Sequence, residues 1–198
     1  MPDETIETLT SMIAKESPLG EIKHGTVATV AIRELAGLPA FDLRVAPGTS
    51  SHAAVAETLA LDMPLRPGQV GGGSVPDGSD AHALCLAPDW WLIVGFQEVE
   101  GSFAPLSQSQ HHFSVVDVSG QRTTLELEGL KVREVLAHLW DQDLREKSFP
   151  VARVSQGLMA KAPVIVWHIA PFRYRVMVRS SFALHLWKAL VDAAEEWV

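Results

Sequence analysis

An internal repeat, at a spacing of 82 to 83 residues, constrains this chain more than any other feature. Residues 43–47 (Leu-x-Val-x-Pro) correspond to residues 125–129 (Leu-x-Leu-x-Gly), and a helical pattern follows each. Residues 86–94 correspond to residues 169–177, and both contain Ala-Pro before a β-rich run. Each half is typical of a β-α-β-β-α unit that is too small to bury a core alone. The sequence therefore predicts an α+β fold in which two pseudo-repeated β-α-β-β-α units pack together.

The second copy of the repeat has the clearest secondary-structure signals. Leucines alternate with polar residues over 124–128, which is the period-two pattern of a half-buried strand. A helix with one apolar face is predicted from the spacing of Val132, Val135, Leu136, Leu139 and Trp140. Strands are predicted over 164–169 and 174–178. A last helix, capped by Ser180 or Ser181, would bury one face formed by Phe182, Leu186, Ala189, Leu190, Ala193 and Trp197.

The first copy has the same kinds of element. Strands are predicted over residues 27–33, 41–45, 83–87 and 90–96. A helix over 53–61 follows a cap at Ser50 or Ser51, residues 62–80 form a loop rich in Gly and Pro, and residues 102–112 form a weak helix or loop.

The predicted domain boundaries follow the repeat. An N-terminal helical arm occupies residues 1–20, a first α+β unit residues 21–112 and a second α+β unit residues 113–198. The arm has an apolar face made of Ile6, Leu9, Met12 and Ile13. That face must dock either on the chain's own domain or on a partner subunit.

The charge of the chain excludes several classes of protein. The net charge is −8, so there is no basic surface for nucleic acid. Residues 1–100 carry 5 Lys and Arg against 14 Asp and Glu, and this acidic half suits contact with a complementary partner. No apolar run reaches the roughly 18 residues that a membrane helix needs, and the N-terminus is acidic where a signal peptide would be basic. We therefore expect a cytoplasmic protein with no membrane contact.

Motifs for catalysis, cofactor binding and metal binding are missing, so no residue is predicted for any of these roles. Gly71–Gly73 lacks the Lys-Ser/Thr and the helix of a phosphate loop, which indicates a flexible surface loop. The eight histidines, including His111 and His112, have no metal-ligand spacing. Cys85 lies in an apolar run, which favours a buried and inert thiol.

Five residues are candidates for a subunit interface. Arg173, Arg175 and Arg179 share one face of a predicted strand, and guanidinium groups are enriched in interfaces. The alternatives are a solvated sheet face or a cofactor phosphate. Trp90 and Trp91 are adjacent in a strand, so their side chains face opposite sides. At most one of them lines a pocket or interface, and the other packs in the core.

Several short motifs in the second half follow one another in order. They are Asp117-x-Ser119-x-x-Arg122, Leu127-x-Gly129, Val135-Leu136, Leu139-Trp140-Asp141-Gln142-Asp143, Phe149-Pro150-Val151-x-Arg153-x-x-Gln156-x-Leu158, Val166-Trp167-x-Ile169-Ala170-Pro171 and Tyr174-x-Val176-x-Val178. Because these motifs occur in this order, the sequence resembles the folate-binding aminomethyltransferase superfamily, which includes the glycine-cleavage T-protein. Within it, the sequence is most similar to the gamma subunits of heterotetrameric sarcosine oxidase. The resemblance implies an aminomethyltransferase folate-binding-domain-like fold.

The sequence departs from the T-protein pattern where that family has its catalytic carboxylate. The corresponding segment, residues 161–166, reads Lys-Ala-Pro-Val-Ile-Val and contains no carboxylate. General acid–base catalysis needs a titratable group within reach, so we expect the fold of a transferase without its catalyst. Asp117, Ser119 and Arg122, which the resemblance singles out, are interpreted as a turn because Asp and Ser side chains bond nearby backbone N–H groups.

The resemblance implies a non-catalytic accessory subunit of an oxidoreductase complex. Its partners would be the alpha, beta and delta subunits of sarcosine oxidase. FAD, FMN, NAD, folate and zinc would lie on those subunits and no cofactor on this chain. Three alternatives stay open: the small subunit of N-methylglutamate dehydrogenase, a stand-alone folate-binding aminomethyltransferase-like protein, and a generic protein-interaction domain.

Overall fold

The structure is a computed structural model that describes residues 17–20, 22–74, 80–96, 106 and 110–198. Its strands are β1 Lys23–Gly25, β2 Ala31–Leu35, β3 Ala40–Val45, β4 Val70–Ser74, β5 Asp80–Ala87, β6 Trp90–Val94, β7 Phe113–Asp117, β8 Arg122–Glu128, β9 Arg153–Met159, β10 Ala162–Ala170 and β11 Arg173–Arg179. Its α-helices are α1 Ser50–Leu59, α2 Val132–Leu139 and α3 Ala183–Ala194.

The strands form two antiparallel sheets with matching orders. Sheet A has six strands in the order β1-β2-β8-β11-β10-β9, and sheet B has five in the order β7-β3-β6-β5-β4. If β1 is set aside, each strand of sheet A corresponds to a strand of sheet B at the repeat spacing. Each sheet also takes one strand from the other half of the sequence, because β2 pairs with β8 and β7 pairs with β3.

The two central hairpins confirm the repeat residue by residue. In sheet B, Cys85 pairs with Trp91, and the register shifts at a bulge before Ala87. In sheet A, His168 pairs with Tyr174, and the register shifts at a bulge before Ala170. The two bulges lie 83 residues apart, the spacing found in the sequence.

The chain divides into two compact units, each with its own core. Unit 1 comprises residues up to Leu38 together with 119–151 and 155–198, and unit 2 comprises 39–118 and 152–154. In unit 1, helices α2 and α3 cover one face of sheet A, with a core that includes Leu125, Leu127, Val135, Leu136, Tyr174, Val176, Leu186 and Leu190. In unit 2, helix α1 packs on sheet B, with a core that includes Leu43, Val55, Leu59, Ala83, Trp91 and Ile93.

Neither unit is one continuous stretch of sequence, whereas the two predicted units, residues 21–112 and 113–198, are each continuous. The difference arises because β2 and β7 are exchanged between the sheets. The structure has more strands than the predicted β-α-β-β-α pattern, since β1, β4, β7 and β9 were not predicted. These four are the edge strands of the two sheets, and their hydrophobic periodicity is weak.

The prediction of a loop over 62–80 is wrong for residues 70–74, which form β4 and pair with β5. The glycines have a packing reason. A Cβ on Gly71 would lie 1.9 Å from the Asp62 carbonyl oxygen, and one on Gly73 would lie 2.2 Å from that of Ala60. Only glycine lets this strand approach the backbone that follows α1 so closely.

Element ends differ from prediction for local reasons. The strand predicted from residue 27 begins at Ala31, because the Thr26 N–H donates to the Val30 carbonyl and closes a turn. Helix α1 is capped by Thr49, whose hydroxyl accepts from the His52 N–H. A 3-10 turn, Ser180–Phe182, precedes α3, so Phe182 is exposed.

The predicted N-terminal helix lies outside the described residues. Immediately after it, the Ser17 hydroxyl accepts from the N–H groups of Leu19 and Gly20 and donates to the buried Glu34 carboxylate. No helix within the described ranges is long and apolar enough to span a bilayer.

Candidate functional site

The most concentrated polar group in unit 1 is centred on Glu126. This residue lies in β8 on the face of sheet A turned away from α2 and α3, and its side chain is 1% exposed. We call this side the arginine face and define it by its charged residues: Lys23, Arg33, Arg122, Glu126, Glu128, Arg173, Arg175 and Arg179. Strand register places them together, because residues opposite each other in antiparallel strands share a face.

Three guanidinium groups converge on the Glu126 carboxylate. Arg33 on β2 and Arg173 on β11 both donate to Oε1, the latter over 2.8 Å. Arg175 donates to Oε2 over 3.1 Å. Burial alone would raise the pKa of Glu126, but hydrogen bonds from Arg173, Arg33 and Arg175 lower it below its ordinary value. Glu126 is therefore a buried, ionised counterion and not a proton donor at neutral pH.

The predicted interface arginines thus divide into two groups. Arg173 and Arg175 bind Glu126 within the chain, so their charge is not free for a partner in the way that the strand pattern suggested. Arg175 also lies over the Trp167 ring, 5.3 Å from its centroid. Arg179 is exposed and lies opposite Arg122. The sequence pattern did not reveal Glu126 as the centre of an ion cluster, because its arginine partners lie on strands that are far away in sequence.

The two tryptophans face opposite sides of β6, as strand geometry requires. Trp91 is fully buried in the core of unit 2, where its indole N–H donates to the Pro64 carbonyl over 2.9 Å. Trp90 is partly exposed, and its indole N–H donates to Asp42. Arg44 lies over the Trp90 ring, 4.5 Å from the centroid. Of the two tryptophans, only Trp90 is partly exposed. Its role in a subunit interface stays a prediction.

The segment that corresponds to the T-protein carboxylate is a tight turn and a buried strand. Ala160 and Lys161 have φ angles of 48° and 68° and form the β9–β10 turn. In β10, Val164 and Val166 belong to the unit 1 core. Lys161 is therefore the sole titratable side chain over 161–166, and it lies exposed on the turn.

The loop after α2 borders an open depression of about 390 Å³. Its charged groups bind one another. Asp143 accepts from the Arg145 side chain and, over 2.6 Å, from the Ser148 hydroxyl, and the Arg145 hydrogen bond lowers the Asp143 pKa well below its usual range. Arg133 donates to Glu146 over 2.7 Å. This arrangement stabilises the loop and pairs Arg133, Asp143 and Arg145 with groups of the chain itself.

A second polar group is buried in the core of unit 1. His168 stacks on Tyr174 with ring centroids 4.2 Å apart, and its Nδ1 lies 2.9 Å from the Phe149 carbonyl oxygen. The Tyr174 hydroxyl accepts from Arg133 Nε over 3.0 Å. Burial raises the pKa of Tyr174, so the phenol stays protonated. Both rings are fully buried, and the His168 Nε2 has no hydrogen-bond partner within the described part of the chain.

The remaining candidates are in structural positions. Cys85 is buried, and burial raises the pKa of its thiol, which disfavours a thiolate nucleophile. The His52 ring packs against Trp91, and burial lowers its pKa. Within the described ranges, no three His, Cys, Asp or Glu side chains cluster in a way that could hold a metal ion.

The three residues that the superfamily resemblance singles out lie around one turn. Asp117 ends β7, Ser119 opens a 3-10 turn over Ser119–Gln121, and Arg122 begins β8. Ser119 therefore lies in the turn, whereas Asp117 and Arg122 flank it in the two strands.

Comparison with known proteins agrees with this architecture. The sequence profile described as "Sarcosine oxidase, gamma subunit family" matches residues 45–196. The chain belongs to this family. It is 30% identical over 174 residues to the sarcosine oxidase subunit gamma of Corynebacterium sp. (strain U-96), covering 85% of this chain and 80% of the relative. It is also 30% identical to the Arthrobacter sp. subunit gamma, covering 87% of this chain and 83% of that relative.

Two solved structures confirm the predicted fold class. A chain of the heterotetrameric sarcosine oxidase from Corynebacterium sp. U-96, in complex with pyrrole 2-carboxylate, matches with a TM-score of 0.76 at 30% identity, covering 88% of both chains. The aminomethyltransferase T of Bartonella henselae matches with a TM-score of 0.62 at 14% identity, covering 88% of this chain and 56% of that one. The second match shows the shared fold alone.

Proposed function

We propose that this chain is the accessory gamma subunit of a heterotetrameric sarcosine oxidase. The observation that carries the proposal is the match to a chain of such an oxidase over 88% of both lengths. The complex would oxidise the N-methyl group of sarcosine, giving glycine, hydrogen peroxide and either formaldehyde or methylenetetrahydrofolate. This chain would support that reaction without carrying it out.

The polar groups of the chain support an accessory role. Its buried carboxylate Glu126 is held by three arginines, and its buried Tyr174 and His168 bind groups in the core. Around the loop after α2, Arg133 pairs with Glu146 and Arg145 pairs with Asp143. These are the arrangements of a structural subunit, since a catalytic acid or base must reach a substrate.

The partners and cofactors follow from this proposal. The alpha, beta and delta subunits would assemble with this chain in the cytoplasm. FAD, FMN, NAD and folate would be bound by the two larger subunits, and zinc by the delta subunit. The N-terminal arm and one exposed sheet face would make the contacts.

Affinity purification of the tagged full-length chain from its own cells, grown on sarcosine, tests the proposal. We expect large flavoprotein subunits to co-purify, with flavin bands in the visible spectrum and sarcosine-dependent peroxide formation. Deletion of the gene should reduce the amount of assembled complex.

Two outcomes would contradict it. Oxidation of N-methylglutamate in place of sarcosine would assign the chain to N-methylglutamate dehydrogenase. A colourless monomer that binds tetrahydrofolate without partners would favour a stand-alone folate-binding protein, to which the fold likeness to aminomethyltransferase T also points.

A further inference from the structure

Helix α3 carries a second apolar stripe beside the one that it buries in unit 1. Its buried residues are Ala183, Leu186, Leu190 and Ala194. Leu184, Trp187 and Val191 follow at positions i, i+3 and i+7, so they are neighbours along one side of the helix. Leu184 is 55% exposed, and the other two are partly exposed. We call these three residues the α3 flank, since contiguous exposed apolar side chains mark contact surfaces.

The contacts of α3 show which way this flank faces. At about 100° per residue, His185 lies toward the opposite side of the helix. Its Nε2 lies 2.7 Å from the Ala160 carbonyl oxygen in the β9–β10 turn. Trp197, just after the helix, meets the His138 ring of α2 with centroids 5.7 Å apart. Helix α2 and the β9–β10 turn are thus on one side of α3, and the α3 flank faces the other way, toward β2 and β1 in the strand order.

The chain enters unit 1 on that same side. Glu34 of β2 shares a strand face with Ile32, which belongs to the core under the helices. Its carboxylate accepts from the Thr123 hydroxyl over 2.6 Å and also from the Ser17 hydroxyl. Leu19 packs against the same core. The N-terminal arm therefore ends at Ser17 on the helix-covered face of sheet A, above β2.

The apolar face of the arm matches the α3 flank in length. Ile6, Leu9, Met12 and Ile13 share one face of the helix predicted over 5–15. This face and the α3 flank each extend over seven residues, which is about 10 Å of helix. The segment from Ile13 to Ser17 spans about 13 Å when extended, and packed helices lie about 8–10 Å apart. The arm therefore reaches the α3 flank while Ser17 stays bound to Glu34.

We propose that the N-terminal arm docks its apolar face on the α3 flank and so extends the core of unit 1. The arm is favoured over a separate subunit as the occupant, because its attachment at Ser17 gives it a high effective concentration at the flank. The inference does not depend on the proposed function. Glu7 falls on the opposite face of the predicted helix, which stays available for contact with a partner.

The test is a double-mutant cycle on the purified full-length chain, with Leu9→Asp and Leu184→Asp. Each single change puts a carboxylate into an apolar contact, and we expect the melting temperature to fall by about 4 °C. The double variant should melt within about 2 °C of the single variants, because the contact is already lost. Leu158→Asp is the matched control, since Leu158 lies on edge strand β9 and is 62% exposed. Its effect should be the same with and without Leu9→Asp.

Three results would overturn the inference. The first is no change in melting temperature with either single variant. The second is full additivity of Leu9→Asp with Leu184→Asp, as expected for the control. The third is a Leu9→Asp variant that melts like wild type but no longer retains the partner subunits, which would place the arm on a partner. Leu9→Ala with Leu184→Ala repeats the cycle, with shifts of about 2 °C, if the aspartate variants do not fold. Coupling in a chain that retains no flavoprotein would support the docked arm and contradict the proposed function.

Discussion

The two central hairpins share one backbone plan but carry different chemistry on both faces. At positions 83 residues apart, the core-facing pair is Cys85 and Trp91 in sheet B and His168 and Tyr174 in sheet A. On the opposite face, β11 has Arg173 and Arg175 where β6 has Trp90 and Leu92. Register and bulge are therefore common to both copies of the repeat, whereas the buried ion cluster is found, among the described residues, only in sheet A.

Mutations on the arginine face of sheet A should change the free energy of unfolding more than mutations around Trp90 on sheet B. Glu126 is buried among three cations. In unit 2, Arg44 of β3 forms an ion pair with Asp89 of the β5–β6 turn, and both side chains are about half exposed. Removing one partner from a buried cluster leaves uncompensated charge, whereas an exposed pair is screened by water.

The largest expected effect comes from Glu126→Gln. Without the carboxylate charge, Arg33, Arg173 and Arg175 repel one another at close range. We expect the free energy of unfolding to fall by about 3 kcal/mol, measured by urea denaturation at neutral pH. Glu128→Gln, on the same strand but 44% exposed, is the matched control and should change it by less than about 0.5 kcal/mol. Equal effects of the two changes would show that burial does not make Glu126 contribute more than an exposed carboxylate on the same face.

The contribution of Glu126 should disappear in acid. Its pKa is lower in the folded chain than the ordinary 4.5, so the unfolded chain binds its proton more tightly. The stabilisation is then complete above the ordinary pKa and is lost as the pH falls through the lowered one. The difference in unfolding free energy between wild type and Glu126→Gln should shrink as the pH falls below 4.5. Urea titrations over a pH series would measure it, and a constant difference would contradict this account.

Tyr174→Phe should have an intermediate effect. It removes the acceptor of the Arg133 Nε–H and leaves the ring stack with His168 intact. A hydrogen bond to a charged group suggests a loss of about 1.5 kcal/mol. The loss should be much smaller in an Arg133→Gln background, as a double-mutant cycle would show. An unchanged loss in the Arg133→Gln background would show that the hydrogen bond from Arg133 does not cause the destabilisation.

Arg44→Ala should have the smallest effect. The side chain lies over Trp90 and pairs with Asp89 over 3.2 Å, but both charged groups are largely exposed. We expect a loss of less than about 1 kcal/mol that diminishes as salt is added. A loss as large as that of Glu126→Gln would contradict the expectation that exposed ion pairs contribute little.

Local periodicity explains which elements could be predicted. The strands around Leu43, Leu125 and Val176 and the helix around Val135 each have one buried face, and their residue spacing shows it. The strand at Gly71–Gly73 gave no such signal. Its glycines are required by backbone atoms of the Ala60–Asp62 segment, and a pattern of side chains does not reveal that contact.

The sequence alone determined the repeat, its 82- to 83-residue spacing and the absence of a carboxylate over 161–166, because these are local patterns that can be compared along the chain. The tertiary structure alone decided which strands are neighbours. Arg33 and Glu126 are 93 residues apart and meet because β2 joins the sheet of the other half. That pairing brings Arg33 to the carboxylate that Arg173 and Arg175 also bind, since the partner across a sheet determines which charges meet.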